Sequence, residues 1–238
     1  MATYFSPKIN TTGLILCIDA ANAKSYPGSG TSWVDITGKN NPLTITGGTF
    51  NSGNSGSLVF NGGSASTPFN YASSITIDTW FNRTAAVNAT HNMVCTITTP
   101  TGYPLFYISF KTDNTISLAW SRYVGATPTD SYLNTPTTYS NGVWYNVTVT
   151  LEQAVPGNTS IGRIYVNGVL ITTLNSGTGT SDTAITSGNI EVANYNYGGT
   201  RYPFNGSIAS IKAYSRALTA TEIFGNYQAI KTRFGHLT

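Results

Sequence analysis

The chain is 238 residues long and 40% apolar, yet only 9% of it is charged, against roughly 25% in an average soluble protein. The net charge is +3 and the 12 Lys and Arg residues are scattered, so the clustered basic stripe that nucleic-acid binding requires is missing. No apolar run approaches the roughly 18 residues of a membrane span, and MATYFSPKIN has neither the cationic start nor the apolar stretch of a signal peptide. The expectation is a soluble chain that binds no nucleic acid and inserts in no membrane. Polarity comes mainly from neutral Thr, Ser, Asn and Gly, which suits hydroxyl- and amide-covered β-strands.

Short apolar or alternating runs recur between Gly, Asn, Pro and Ser clusters, the pattern of an all-β sandwich. GLILCID (13–19) is near-continuously apolar and reads as a buried strand, as does GSLVFNG (56–62). SSITIDTWFN (73–82) alternates, with Ile75, Ile77, Thr79 and Phe81 on one face and Thr76, Asp78 and Trp80 on the other. NMVCTIT, PLFYISF, NTISLAW and VWYNVTVTLE add strands. In RIYVNGVLITTL (163–174), Asn167-Gly168 predicts a type I′ hairpin turn, because both positions tolerate positive φ. SGNIEVANY and NGSIASIKAY bring the expected count to about a dozen strands in one domain. Cys17 and Cys95 sit inside apolar runs and read as buried free thiols.

One short C-terminal helix follows. Thr219 and Glu222 form a T-x-x-E capping box, Leu218 can staple onto Ile223, and Ile223, Phe224, Tyr227 and Ile230 share one side. This helix is expected to plug an edge or end of the sandwich. The closing Lys231, Arg233 and His236 read as solvated tail residues.

GSIASIKAYSRALTATEIFGNY resembles the closing strand and helix of laminin-G-like, concanavalin A-like lectin/glucanase jelly-roll domains. Gly206, Ile208, Ile211, Tyr214, Arg216, Ala217, Leu218, Thr219, Glu222 and Ile223 fit that pattern, while Ala213 stands where a β-branched residue is usual. SLVFNG, SITIDTWFN, GVWYNVTVT and IYVNG are similar to further motifs of the family, in order along the chain. The resemblance implies a concanavalin A-like jelly-roll β-sandwich over 13–230, preceded by an arm (1–12) and followed by a tail (231–238). GLILCIDAANAKSYPGSGTSWVDITGKNN and NYQAIKTRFG also resemble the two ends of laminin-G-like proteins of tailed bacteriophages, marine and cyanobacterial ones in particular. That likeness implies a virion structural protein, present in many copies or as a homo-oligomer on the particle, with capsid or tail proteins as partners.

Glucanases of this fold carry paired acids at alternate strand positions, which share a sheet face. Here Glu152, Glu191 and Glu222 are the three glutamates and none lies two residues from another acid, so no enzyme is expected. Some laminin-G-like domains hold calcium through acids near positions where this chain has Asn61, Gly63, Ala209 and Ser210. A hard cation wants several oxygen ligands, usually charged ones. Backbone carbonyls with Asp19 or Asp35 are the remaining way to build a calcium site, and no cofactor is expected.

Sugar recognition uses aromatic faces together with amide and hydroxyl groups. ANYNYGGTRYPFNG (193–206) gathers Tyr195, Tyr197, Arg201, Tyr202 and Phe204 in a Gly-hinged segment. SRYVGATPTDSYLN (121–134) offers Arg122, Tyr123, Asp130, Tyr132 and Asn134. Tyr195, Tyr197, Arg201, Tyr202, Arg122, Tyr123 and Tyr132 are therefore the candidate carbohydrate-binding residues, although such loop residues also make protein interfaces. The leading expectation is a surface module of the virion, a capsid decoration or a tail-associated protein, that touches host glycans. A glycan-binding adhesin of a tail fibre is the alternative, ahead of a glycan hydrolase.

Overall fold

The computed structural model describes residues 8–71, 74–85, 91–124, 127–152, 159–176 and 187–237; the side chains of 122–129 and of Tyr197 fall outside that description. The strands run β1 (Leu14–Asp19), β2 (Ser32–Trp33), β3 (Leu43–Asn51), β4 (Ser57–Asn70), β5 (Ile75–Ala85), β6 (His91–Thr98), β7 (Pro104–Lys111) and β8 (Ile116–Val124). There follow β9 (Thr127–Asn134), β10 (Trp144–Glu152), β11 (Ser160–Val166), β12 (Val169–Ser176), β13 (Ser187–Val192), β14 (Asn196–Tyr197), β15 (Thr200–Arg201) and β16 (Asn205–Tyr214). Helix α1 spans Ala220–Ile230. Among the described residues there are sixteen strands, more than the expected dozen, because β3, β9 and the two-residue pieces carry weak local signals.

Fourteen of the strands form one hydrogen-bonded sheet that folds over at β4. Its first part, Leu58 to Asn61, pairs with β16, and its later part, Ala65 to Asn70, pairs with β13. One layer has the order β12-β11-β10-β5-β16, and the other β13-β6-β7-β8-β9. The crossing is built on glycine. Gly62 and Gly47 have φ of 76° and 72°, and a Cβ on Gly63 would lie 2.5 Å from the Gly47 carbonyl oxygen. At this corner β3 and β4 approach too closely for any side chain.

The interior fills with alternate residues of both layers, among them Ile77, Phe81 and Val149 of the first and Phe106, Leu118 and Trp120 of the second. Trp120 reaches across to β11, where a Cβ on Gly162 would meet its ring at 2.5 Å. Burying these faces supplies most of the driving force, at about 25 cal/mol per Å² of apolar surface. The alternation expected in β5 is present: Ile75, Ile77 and Phe81 join the core, whereas Asp78 and Trp80 face outward. Asn167 and Gly168 take φ of 52° and 78°, as a type I′ turn between β11 and β12 demands. Cys17 and Cys95 are free and buried, and burial pushes their thiols up to about 11 and about 12.

Helix α1 does not plug an end of the sandwich. It lies across the outer face of the first layer, where Ile223 and Leu218 pack on Leu14, Cys17, Tyr165 and Tyr214. The capping box is made in full: Thr219 Oγ1 accepts from the Glu222 amide and Glu222 Oε2 accepts from the Thr219 amide. Arg216 grips the same carboxylate with both nitrogens, at 2.8 and 2.6 Å.

The expected apolar stripe is partly wrong. Phe224 is 47% exposed while Asn226 is 1% exposed. Part of the surface beneath the helix is polar, so a polar residue turns inward to meet it there. Asn226 Nδ2 donates to the Tyr214 hydroxyl at 2.9 Å and to Asp78 Oδ2 at 3.3 Å. Asn146 donates to Asp78 Oδ1 at 2.7 Å, and Lys212, the cross-strand partner of Asp78, brings Nζ to 4.0 Å.

The closing residues are fixed rather than solvated. Phe234 stacks on Trp80 at 4.1 Å between centroids and 14° between planes. Arg233 donates to both oxygens of Asp19 at 2.8 and 3.0 Å. His236 sits between the Tyr227 hydroxyl, 3.0 Å away, and the Trp144 carbonyl, 3.1 Å away. Trp80, outward on β5, offers an aromatic face large enough to hold this segment down, and Lys231 is drawn to 8% exposure with it.

Candidate functional site

The outer face of the second layer carries a cleft of about 260 Å³. Its floor follows from strand alternation. Because Leu118 and Trp120 of β8 point into the core, Ala119 and Ser121 point out. The register sets Ala119 between Tyr107 of β7 and Tyr132 of β9. A small residue between two large rings leaves a hollow. Met93 and His91 of β6 continue it, and the segment after β13 folds over to add Tyr195 and Tyr202.

Asp130 is the acidic centre of one wall. It stands opposite Ser121 in the β8–β9 ladder, and Ser121 Oγ donates to its Oδ1 at 2.6 Å. The Tyr132 hydroxyl donates to Oδ2 at 3.0 Å, and the Tyr103 hydroxyl lies 3.2 and 3.3 Å from the two oxygens. At the other wall Tyr195 and Tyr202 stack at 6.1 Å and 22°. Tyr195 is pinned by donation to the Gly102 carbonyl at 2.9 Å. The Tyr202 and Tyr195 backbones bond to each other, and the Tyr202 carbonyl accepts from the Met93 amide. His91 packs edge-on against Tyr107, with Nδ1 2.8 Å from Ser109 Oγ.

Burial, with Lys111 second, holds the His91 imidazole below its usual value. Burial pushes the Tyr107 hydroxyl up, reinforced by Tyr132 and Asp130. Tyr132 is raised too, by burial first and then by its bond to Asp130. No lysine or arginine lines the cleft among the described residues.

Residues 53–224 match the Laminin_G_3 family, whose description is concanavalin A-like lectin/glucanases superfamily. The chain belongs to this superfamily. Among curated proteins nothing matches the sequence of this laminin-G-like chain. Solved structures share its fold at low identity. Domain 4 of AbnA, a GH43 extracellular arabinanase from Geobacillus stearothermophilus in complex with arabinotriose, is 16% identical with a TM-score of 0.64, covering 92% of this chain and 100% of that one. The botulinum neurotoxin type G receptor binding domain is 18% identical with a TM-score of 0.62, over 91% of this chain and 51% of that one. Trypanosoma rangeli sialidase is 15% identical with a TM-score of 0.64, over 94% of this chain. The laminin-G-like chain spans only 34% of that sialidase.

Of the seven sequence candidates, Tyr132, Tyr195 and Tyr202 come together in the cleft. Arg201 turns elsewhere, donating to the Gly62 carbonyl at 2.7 Å. Tyr197 lies in the short β14–β15 hairpin, and Arg122 and Tyr123 lie in β8, with their side chains outside the described residues. Phe204, grouped with the loop aromatics in the sequence, is a core residue edge-on to Phe81. Residues 121–124 and 127–134 belong to paired strands rather than to a loop.

Sequence reasoning missed Tyr103, Tyr107 and His91. The signal for Tyr107 was present: in PLFYISF it is the aromatic that alternates against Phe106 and Ile108. Asp19 and Asp35, the carboxylates left open for calcium, are engaged by protein groups. Asp19 holds Arg233. Asp35 accepts from the Cys17, Thr37 and Asn40 amides and from the Thr37 hydroxyl. Despite the opposing effect of burial, these bonds hold its carboxyl below the usual range, the Cys17 amide contributing most.

Proposed function

We propose that this chain is a non-enzymatic carbohydrate-binding module displayed on a tailed-bacteriophage particle, as a capsid decoration or tail-associated protein touching host-surface glycans. The observation that carries the binding half is the cleft, where two tyrosine-rich segments distant in sequence converge around one carboxylate. Tyrosine offers an apolar face for a sugar ring and a hydroxyl for its oxygens. The arabinanase domain of matching size, in complex with arabinotriose, supports the same reading. The virion half rests on the resemblance of both chain ends to phage laminin-G-like proteins.

The placement of acids supports the non-catalytic part of this reading. Among the described residues Asp130 alone lines the cleft as a carboxylate. Of the other acids on this layer, Asp113 lies in the β7–β8 turn, paired with Lys111, and Glu191 sits on β13, four strands from β9, or roughly 19 Å at about 4.8 Å per strand. Paired glycosidase carboxyls stand about 5–9.5 Å apart.

A glycan array tests the binding half: the chain is expected to bind, with signal lost on Tyr132→Ala and on Tyr202→Ala. Binding retained in both variants refutes the cleft as the site, and reducing-sugar release abolished by Asp130→Asn refutes the non-enzymatic reading. Gold-labelled microscopy of purified particles tests the virion half, which fails when no label decorates head or tail.

A further inference from the structure

We propose that the cleft selects glycans bearing a free primary ammonium group, so that its ligand is a de-N-acetylated amino sugar rather than a neutral or acidic one. This rests on the carbohydrate-binding reading above and narrows it. Three features carry it.

The first is the direction of the hydroxyl hydrogens. Tyr103, Ser121 and Tyr132 each have one O–H, and each bonds to Asp130. Ser121 has the Pro104 carbonyl as its second acceptor, at 2.8 Å, and that too lies within the protein. Toward a ligand the Ser121 and Tyr132 oxygens therefore present lone pairs. A wall made of acceptors complements a group made of donors, and a primary ammonium carries three.

The second is charge. Asp130 is the anionic group of the lining, and no described lysine or arginine faces it there. Its described partners are neutral hydroxyls. An acidic sugar would bring its carboxylate against Asp130 uncompensated, which disfavours binding. A cation balances it.

The third is the aromatic frame. Tyr107, Tyr132 and Tyr202 surround the hollow beside Asp130, and their π faces attract a cation electrostatically. A quaternary ammonium would use those faces equally well but cannot donate to the acceptor wall, so the geometry favours the primary amine. The volume, about 260 Å³, lies just below the range of about 300–1,000 Å³ for drug-sized ligands, which suits one terminal sugar ring.

The test is calorimetric titration of the full chain near pH 6, where a sugar amine is protonated, with glucosamine trimer, N-acetylglucosamine trimer, glucuronic acid and choline as probes. Glucosamine trimer is expected to bind best, and Asp130→Asn to weaken it about tenfold to hundredfold, the range for a charge-assisted hydrogen bond. Asp130 holds three hydroxyls in place, so circular dichroism and melting of Asp130→Asn check that the variant folds. Titration of the unaltered chain from 50 to 500 mM NaCl supplies an independent readout, and affinity is expected to fall with salt. Equal or tighter binding of the N-acetylated trimer, or salt-independent binding, overturns the ammonium inference and leaves the glycan reading standing. Tighter binding of choline overturns the primary-amine assignment. Absence of binding to every probe, together with an empty array, overturns both.

Discussion

Replacing Asp78 by Ala removes the carboxylate from a buried site that also holds a lysine. Asp78 is 1% exposed and Lys212 is 3% exposed. Their charged atoms are 4.0 Å apart, and Lys212 Nζ has no hydrogen-bond partner among the described residues. At about 4 Å and an effective dielectric near 20, two unit charges interact by about 4 kcal/mol. That agrees with the loss of about 3–5 kcal/mol seen when one partner of a buried pair is deleted and the other charge is stranded. The Asn146 and Asn226 amides lose their acceptor in the same step.

For a chain of this size each kcal/mol shifts the melting temperature by about 2–4 °C, so Asp78→Ala should melt about 6–20 °C lower. Lys212→Met should cost less, since Asp78 keeps both amides. The double variant should be more stable than the sum of the single losses predicts, by about 2 kcal/mol or more, because removing the lysine relieves the stranded charge. Urea unfolding of all four proteins measures that coupling. Single effects that simply add, or an Asp78→Ala variant within about 1 kcal/mol of the parent, would refute the buried pair as an energetic unit.

Gly63→Ala should destabilise by about 1–3 kcal/mol in urea unfolding, the range for overpacking, since its Cβ would press on Gly47 backbone at the β3–β4 corner. Phe234→Ala should uncover Trp80 and Trp144, which it contacts at 4.1 and 4.7 Å. A red-shifted tryptophan emission is expected, with a loss of up to about 3–5 kcal/mol. Arg216 above all, with Thr219, holds the Glu222 carboxyl down at about 2, below its ordinary 4.5. Its contribution is thus complete above pH 4.5 and is lost as the pH falls toward 2. Glu222→Gln should accordingly melt below the parent at pH 6, and the two curves should converge near pH 2.

The local code for α1 is complete in the chain: Thr219, Glu222 and the Leu218–Ile223 contact can be read directly, because caps and staples use residues a few positions apart. The β11–β12 turn is legible for the same reason, since Asn167-Gly168 meets a conformational demand made within two residues. Alternation in β5 identifies its two faces, as the pleat requires of any strand. What covers the outer face of β5 is not written there. Asp78 and Trp80 face outward in the sequence pattern, and only the folded chain reveals that Asn226 and Phe234, some 150 residues on, come back to cover them.

The candidate cleft divides in the same way. Along the chain, Tyr132, Tyr195 and Tyr202 are recognisable as aromatics set in polar, Gly- and Asn-rich stretches. Folding sets Tyr132 and Asp130 on a strand, brings Tyr103 and Tyr107 beside them, and turns Arg201 and Phe204 away. Strand order is the physical reason. β6, β7, β8 and β9 are neighbours in space, so His91, Tyr107, Ala119 and Tyr132 share one face. The fold-over at β4 then brings β13, and with it Tyr195 and Tyr202, against the same face from more than 60 positions away.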